Sequence, residues 1–207
     1  MSNGDVSQGR RRFLIGATSV VGGVGVVGAA VPFVASWNPS AKAEAAGAPV
    51  TVNIDKIEPG QQITVEWRGK PVWIIRRTPE MLENIEKLSP RLKDPESTAT
   101  SQQPEYISGA TRSLKPEFIV LVGICTHLGC VPTYRPEVAP ADLGDEWLGG
   151  LFCPCHGSKF DLSGRVFSGQ PAPLNLEVPP YRYDSDPTMT VGLDPRERDA
   201  ETSELGR

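Results

Sequence analysis

Four cysteines and two histidines carry the chain's capacity for redox or metal chemistry, and they fall in two short clusters and nowhere else. The first reads CTHLGC over residues 125–130, the second CPCHGS over residues 153–158. Structural cysteines and histidines would scatter, so this segregation points to one ion-binding site built from two loops. Glycine or proline in each loop lets the backbone turn back on an ion. The 25 residues 128–152 that separate His127 from Cys153 are enough to bring the loops together from opposite sides. Each loop offers a cysteine-plus-histidine pair, Cys125 with His127 and Cys153 with His156, and each leaves one cysteine over, Cys130 and Cys155. A cluster on four thiolates would leave both histidines idle, against that symmetry. Surplus thiols, one per loop, are natural disulfide partners outside the cytoplasm. Closing the loop between them contributes ~3 kcal/mol at most, and less where a metal already ties the same loops. Spacing alone leaves two fillings open: tetrahedral zinc on two sulfurs and two nitrogens, or an iron–sulfur centre with the same mixed ligands.

The elements that must position these loops read as short strands. The 207 residues include 21 Gly and 20 Pro but few aromatics, a composition suited to strands and turns more than to helical bundles. A formal charge of −4 argues against nucleic acid as a partner. VTVNI and ITVEW alternate apolar and polar residues as half-buried strands do, and VEWRGKPVWII reads as a hairpin turning at Arg68, Gly69 and Lys70. TPEMLENIEKL is the one convincing helix of this region, with Thr78 as N-cap, Pro79 at the first helical position and Glu80 and Glu83 near the positive end of the dipole. RLKDPESTATSQQPEY reads as loop. EFIVLVGI is a buried strand feeding the first cluster, and LNLEVPPYRYD and MTVGL read as closing strands. Residues 194–207 form a charged tail without apolar period.

The N-terminus obeys other rules. Residues 13–37 run without a charge, and about 20 apolar residues suffice to cross a bilayer, so a retained single-pass anchor is expected there. The run exceeds the core of a cleaved signal, although AKAEAAG after Trp37 offers small-residue cleavage sites. Arg10, Arg11 and Arg12 precede it, which keeps residues 1–12 cytoplasmic and delivers the chain beyond the anchor to the other side. Arg10 and Arg11, with Phe13 and Leu14 after them, also resemble the twin-arginine signal, which implies export of an already folded protein. Residues 38–49, Ala-rich and bounded by Pro39 and Pro49, read as a flexible hinge or a short further helix. The head then occupies residues 50–193, with a cluster-binding subdomain at about 124–173.

CTHLGC paired with CPCHGS resembles the motif of Rieske proteins, whose 2Fe–2S cluster has one iron on two cysteines and the other on two histidines. With the anchor, the twin arginines and the extra cysteine pair, the resemblance extends over most of the chain to the iron–sulfur subunits of ubiquinol–cytochrome c reductase. It implies an all-β fold, a Rieske-type antiparallel β-sandwich head with a small cluster-binding subdomain, on one N-terminal transmembrane helix. Cys125 and Cys153 would hold the inner iron, His127 and His156 the outer one, and Cys130–Cys155 would be a disulfide. His156 and Leu128 would meet the quinol, and Gly169, Pro171, Ala172 and Pro173 would form the docking loop. The implied partners are quinol, a cytochrome b subunit and a c-type cytochrome subunit, within a dimeric complex of a cell inner membrane whose heads are periplasmic. A second reading with folded export is the Rieske small subunit of an arsenite oxidase. Gly157, Ser158 and Phe160 would tune the cluster. Ser158 matches the family serine that bonds a sulfide, while Phe160 stands where relatives carry a tyrosine that bonds a cluster cysteine. The docking loop departs too, reading GQPAP with Gln170 between glycine and proline. Loss of a hydroxyl donor lowers the potential of such a couple. Phe160→Tyr is therefore expected to raise it, as a voltammetric comparison of the two proteins would register.

Overall fold

In the computed structural model, which describes residues 7–195, the chain divides into two units, Met1–Ala45 and Ala46–Arg207. The expected tail falls outside the described residues but for its first two. In the first unit, helix α1 (Gln8–Ala35) covers the apolar run and is long enough to cross a membrane, at ~1.5 Å per residue, with every residue exposed. It begins before the apolar run because arginine is a good helix former, so Arg10 and Arg11 lie within its first turns. Within this helix Thr18 Oγ1 donates to the Leu14 carbonyl at 2.7 Å, which satisfies a hydroxyl that lipid would leave unpaired. Residues 38–49, read as hinge or short helix, contain helix α2 (Ala41–Gly47).

The second unit holds, among the described residues, the strands β1 (Val50–Asn53), β2 (Gln62–Trp67), β3 (Lys70–Arg76), β4 (Phe118–Val122), β5 (Thr133–Val138), β6 (Leu148–Phe152), β7 (Lys159–Phe160), β8 (Tyr181–Ser185) and β9 (Thr188–Val191). They make three antiparallel sheets, ordered β1-β9-β8, β2-β3-β4 and β5-β6-β7. The β2–β3 hairpin closes on two residues, Arg68 and Gly69, both with positive φ, so that Trp67 pairs with Lys70. One core runs through all three sheets. It joins Ile74 and Leu121 of the second, Met189 and Val191 of the first, and Leu151 and Phe160 of the third. The expected helix is α3 (Pro79–Leu88), where Thr78 Oγ1 accepts the Met81 N–H at 3.2 Å and Ile85 and Leu88 face inward. The stretch expected to be loop after it carries one short 3-10 turn, Thr100–Gln102, and a second, Ser89–Arg91, ends at its first residue.

Two expectations change in detail. LNLEVPPYRYD pairs only from Tyr181 onward, because Pro179 and Pro180 lack the N–H that a ladder needs. Its upstream part is fixed by single bonds instead, such as Leu176 N–H to the Gly164 carbonyl at 2.8 Å. The third sheet was not legible as strands. β5 contains Pro136, placed on an edge where the register shifts between Arg135 and Val138, and β6 contains adjacent glycines. Those glycines allow close approach: a Cβ on Gly150 would stand 2.1 Å from the Phe160 carbonyl oxygen.

A buried turn just after β7 fastens this sheet to the rest. The Asp161 carboxylate accepts the N–H groups of Ser163 and Arg165 at 2.9 and 2.7 Å and the Arg165 guanidinium at 2.8 Å. Arg165 also donates to the Ile85 carbonyl of α3. Arg77 donates to Ser163 Oγ, and Arg112 to the Ser163 and Leu176 carbonyls. Burial lowers the guanidinium pKa of Arg77 and Arg112 to about 10, so both stay charged at neutral pH, and their hydrogen bonds offset the cost of that burial.

Candidate metal centre

Both cluster loops grow from strands of the core. β4, buried at all five residues, leads to Cys125, and the first loop runs on to β5. β6 leads directly to Cys153, and the second loop runs on to β7. The two loops share one backbone pattern. Cys125 N–H donates to the Cys130 carbonyl at 2.7 Å, and Gly129 N–H to the Cys125 carbonyl at 3.0 Å. In the second, Cys153 N–H donates to the Ser158 carbonyl at 2.8 Å, and Gly157 N–H to the Cys153 carbonyl at 2.9 Å. Gly129 and Gly157 take φ of +82° and +79°, where a side chain would be strained. This repeat turns the first cysteine of each loop inward, and both thiols are free and buried.

The leftover pair, Cys130 and Cys155, is joined as a disulfide across the two loops. The sulfurs of Cys130, Cys153 and Cys155 lie within 4.8 Å of one another, but two of them are bonded together, so this trio offers one thiolate and not three. Burial pushes the Cys125 thiol up, and contact with Cys153 pushes it further. The His127 N–H and the Ser158 hydroxyl oppose this through hydrogen bonds. A buried thiol such as Cys125 gives up its proton readily only beside positive charge.

The histidines face the other way. Their rings, one from each loop, stand edge to face with centroids 4.7 Å apart. His127 is half-buried, whereas His156 is exposed together with Pro154 and Cys155. Leu128 beside them is 71% exposed. Pro171 and Pro173 are exposed and Ala172 is fully buried, so the docking loop expected from sequence has two prolines outward and the alanine as its foot. Gly169 opens this loop with φ +72°. The loop is tied to both cluster loops. Ala172 N–H donates to Ser158 Oγ at 3.1 Å, and Thr126 Oγ1 donates to the Leu174 carbonyl at 2.6 Å. Phe160 is fully buried in β7, opposite Leu151. The tie through Thr126 was not foreseen, although a hydroxyl between two donor residues was a visible signal.

The donor set therefore fits a metal centre with sulfur at its inner end and imidazole at its outer end, and both pairs converge from separate loops. A Rieske [2Fe-2S] domain model matches residues 48–181, well over half of the chain. The chain belongs to the Rieske family. A second model, the ubiquitinol-cytochrome C reductase Fe-S subunit TAT signal, matches residues 1–40. Among relatives, the Rieske chain is 57% identical over 194 residues to the ubiquinol-cytochrome c reductase iron-sulfur subunit of Allochromatium vinosum, covering 94% of this chain and 93% of that one. It is 41% identical to the protein of the same name from Bradyrhizobium diazoefficiens, covering 88% and 94% of the two chains. It is 38% identical to the mitochondrial cytochrome b-c1 complex subunit Rieske of Saccharomyces cerevisiae, covering 89% and 77%. The family decides between zinc and iron–sulfur in favour of a Rieske-type 2Fe–2S cofactor. The arsenite oxidase reading is left without support by relatives that carry the reductase name.

In this Rieske head the disulfide and the metal would hold the same two loops. Replacing Cys130 and Cys155 together by serine leaves the four candidate ligands in place. The double variant is expected to take up the cluster but lose it at lower temperature, with a stability loss below roughly 3 kcal/mol. Electron paramagnetic resonance during stepwise heating checks this.

Proposed function

We propose that this chain is the electron-carrying subunit of a respiratory quinol–cytochrome c oxidoreductase, with Cys125 and Cys153 as ligands of the inner iron and His127 and His156 as ligands of the outer one. The observation that carries the proposal is the polarity of the site: two buried thiols stand behind two imidazoles, one of them exposed. It occurs in a chain 57% identical to the iron-sulfur subunit of one such reductase. When bound, the cluster supplies a one-electron acceptor whose potential is raised because two of its four protein ligands are neutral.

The protein's own residues do the rest. The exposed His156 ring would accept the hydrogen bond of a quinol hydroxyl and take up its proton. Leu128, Pro171 and Pro173 give this surface an apolar rim that keeps water from the reacting hydroxyl once docked on a cytochrome b subunit. The Ser158 hydroxyl, buried beside Cys125, donates toward its sulfur and would favour the reduced form of a cluster held there. Gly157 supplies the positive φ that lets the chain turn between His156 and Ser158.

The same exposed ring serves a second partner, the c-type cytochrome subunit, when the head turns on residues 38–49. A seven-residue helix such as α2 is too short to be stable alone, which suits a segment that must lengthen and shorten. α1 anchors the chain in the cell inner membrane. Arg10, Arg11 and Arg12 keep its start cytoplasmic, the folded head is exported to the periplasm, and the complex is dimeric.

Two outcomes are expected. Gentle detergent extraction through a tag on the tail brings down haem-bearing partners, seen by haem staining; a purified chain free of haem-bearing companions overturns the assignment. Replacing Ala43 and Ala45 by proline slows quinol-to-cytochrome turnover several-fold and leaves the paramagnetic signal of the reduced cluster unchanged. Unaltered turnover in that variant removes the hinge.

A further inference from the structure

Gln170, between Gly169 and Pro171, accepts a backbone hydrogen bond from beside the cysteine–histidine site, and the structure gives it a task. Residues 167–172 run back alongside residues 158–160. Phe167 N–H donates to the Lys159 carbonyl at 3.1 Å, Lys159 N–H donates to Gln170 Oε1 at 3.1 Å, and Ala172 N–H donates to Ser158 Oγ at 3.1 Å. In an uninterrupted ladder a main-chain carbonyl would receive the Lys159 N–H. Here a side-chain amide takes that place. The backbone can then bulge by one residue, turning at Gly169, without leaving the Lys159 N–H unpaired.

Without that bond residues 169–172 would lose their hold on residues 158–160, and Ala172 would move out of line with Ser158. Both are fully buried, and Ser158 Oγ, already accepting from Ala172, has its own hydrogen left to give elsewhere. The Cys125 sulfur lies beside it. We propose that Gln170 is a positioning residue for the redox centre: by holding the Lys159 N–H it keeps Ala172 in register with Ser158, and so keeps the Ser158 hydroxyl aimed at the sulfur end of the site. The inference rests on the cluster-bearing function proposed above. Leu at this position preserves bulk and removes the acceptor; Glu preserves the acceptor oxygen. A hydroxyl donor lost from sulfur disfavours the more negative, reduced form, so the potential falls.

The test uses the detergent-purified complex as wild type, Gln170→Leu, Gln170→Glu, Ser158→Ala and the Ser158→Ala/Gln170→Leu double variant. Potentials come from redox titration followed by paramagnetic resonance, and backbone protection from amide hydrogen exchange. Gln170→Leu is expected to lower the potential and to speed exchange at Lys159 and Ala172 by roughly five- to tenfold, the loss of one net hydrogen bond. Gln170→Glu is expected to keep both amides at wild-type protection. In the Ser158→Ala background, Gln170→Leu is expected to shift the potential no further, because the two residues act in series. Should Gln170→Leu lose its cluster, Gln170→Ala, which adds no bulk, provides the same readings. The inference is overturned if Gln170→Leu keeps the wild-type potential and protection, if Gln170→Glu exchanges as fast as Gln170→Leu, or if the two potential shifts add. A wild-type complex with no paramagnetic signal after dithionite would instead sink the proposed function, so the two failures are distinct.

Discussion

Two thiols are buried and one of two neighbouring imidazoles is exposed within one small site, and the strands and turns around it are arranged to hold that contrast. A buried thiolate is tolerated only beside positive charge, and the free thiols of Cys125 and Cys153 are both buried. A ring that is to meet another molecule needs the opposite, and His156 is exposed. The shared backbone pattern of the two loops reconciles these demands. In each, a bond closing back on the first cysteine and a left-handed glycine turn that sulfur inward, while the histidine is half-buried in the first loop and exposed in the second.

Loops of this kind do not hold themselves together. The Cys130–Cys155 disulfide joins their outer parts. Their inner parts are fixed by the strands that deliver them, β4 from the middle of the core and β6 from the third sheet. The second loop has a further mooring in the buried Asp161–Arg165 turn, which reaches α3 through Arg165 and meets Arg77 and Arg112 at Ser163. Three guanidiniums with one buried carboxylate are stable only because backbone carbonyls and hydroxyls take up their remaining donors. The loop at residues 169–174 is bound to both cysteine–histidine loops by hydrogen bonds from Thr126 and Ala172.

Much of this was legible in the residues. The period-two alternation of VTVNI and ITVEW, the continuous apolar run before Cys125 and the Thr78-Pro79 helix start each led to the element found. The cysteine–histidine spacing separated candidate ligands from the bridging pair because chemistry there is local, and the disulfide joins the two cysteines left over. The third sheet was not legible. Proline in β5 and paired glycines in β6 weaken every local strand signal, and these segments pair because the chain elsewhere brings them to close range.

The sequence by itself determined the donor types, the membrane-length helix and the class of elements, since these depend on side-chain chemistry and on periodicities a few residues long. Tertiary structure decided which sulfurs are buried, which imidazole is exposed, and which amide Gln170 accepts from. Each of those depends on segments far apart in the chain: Cys125 against Cys153, His127 against His156, Lys159 against Gln170 folded back on it. Burial and register are properties of neighbours in space, and a linear pattern carries no record of those neighbours until the core has brought them together.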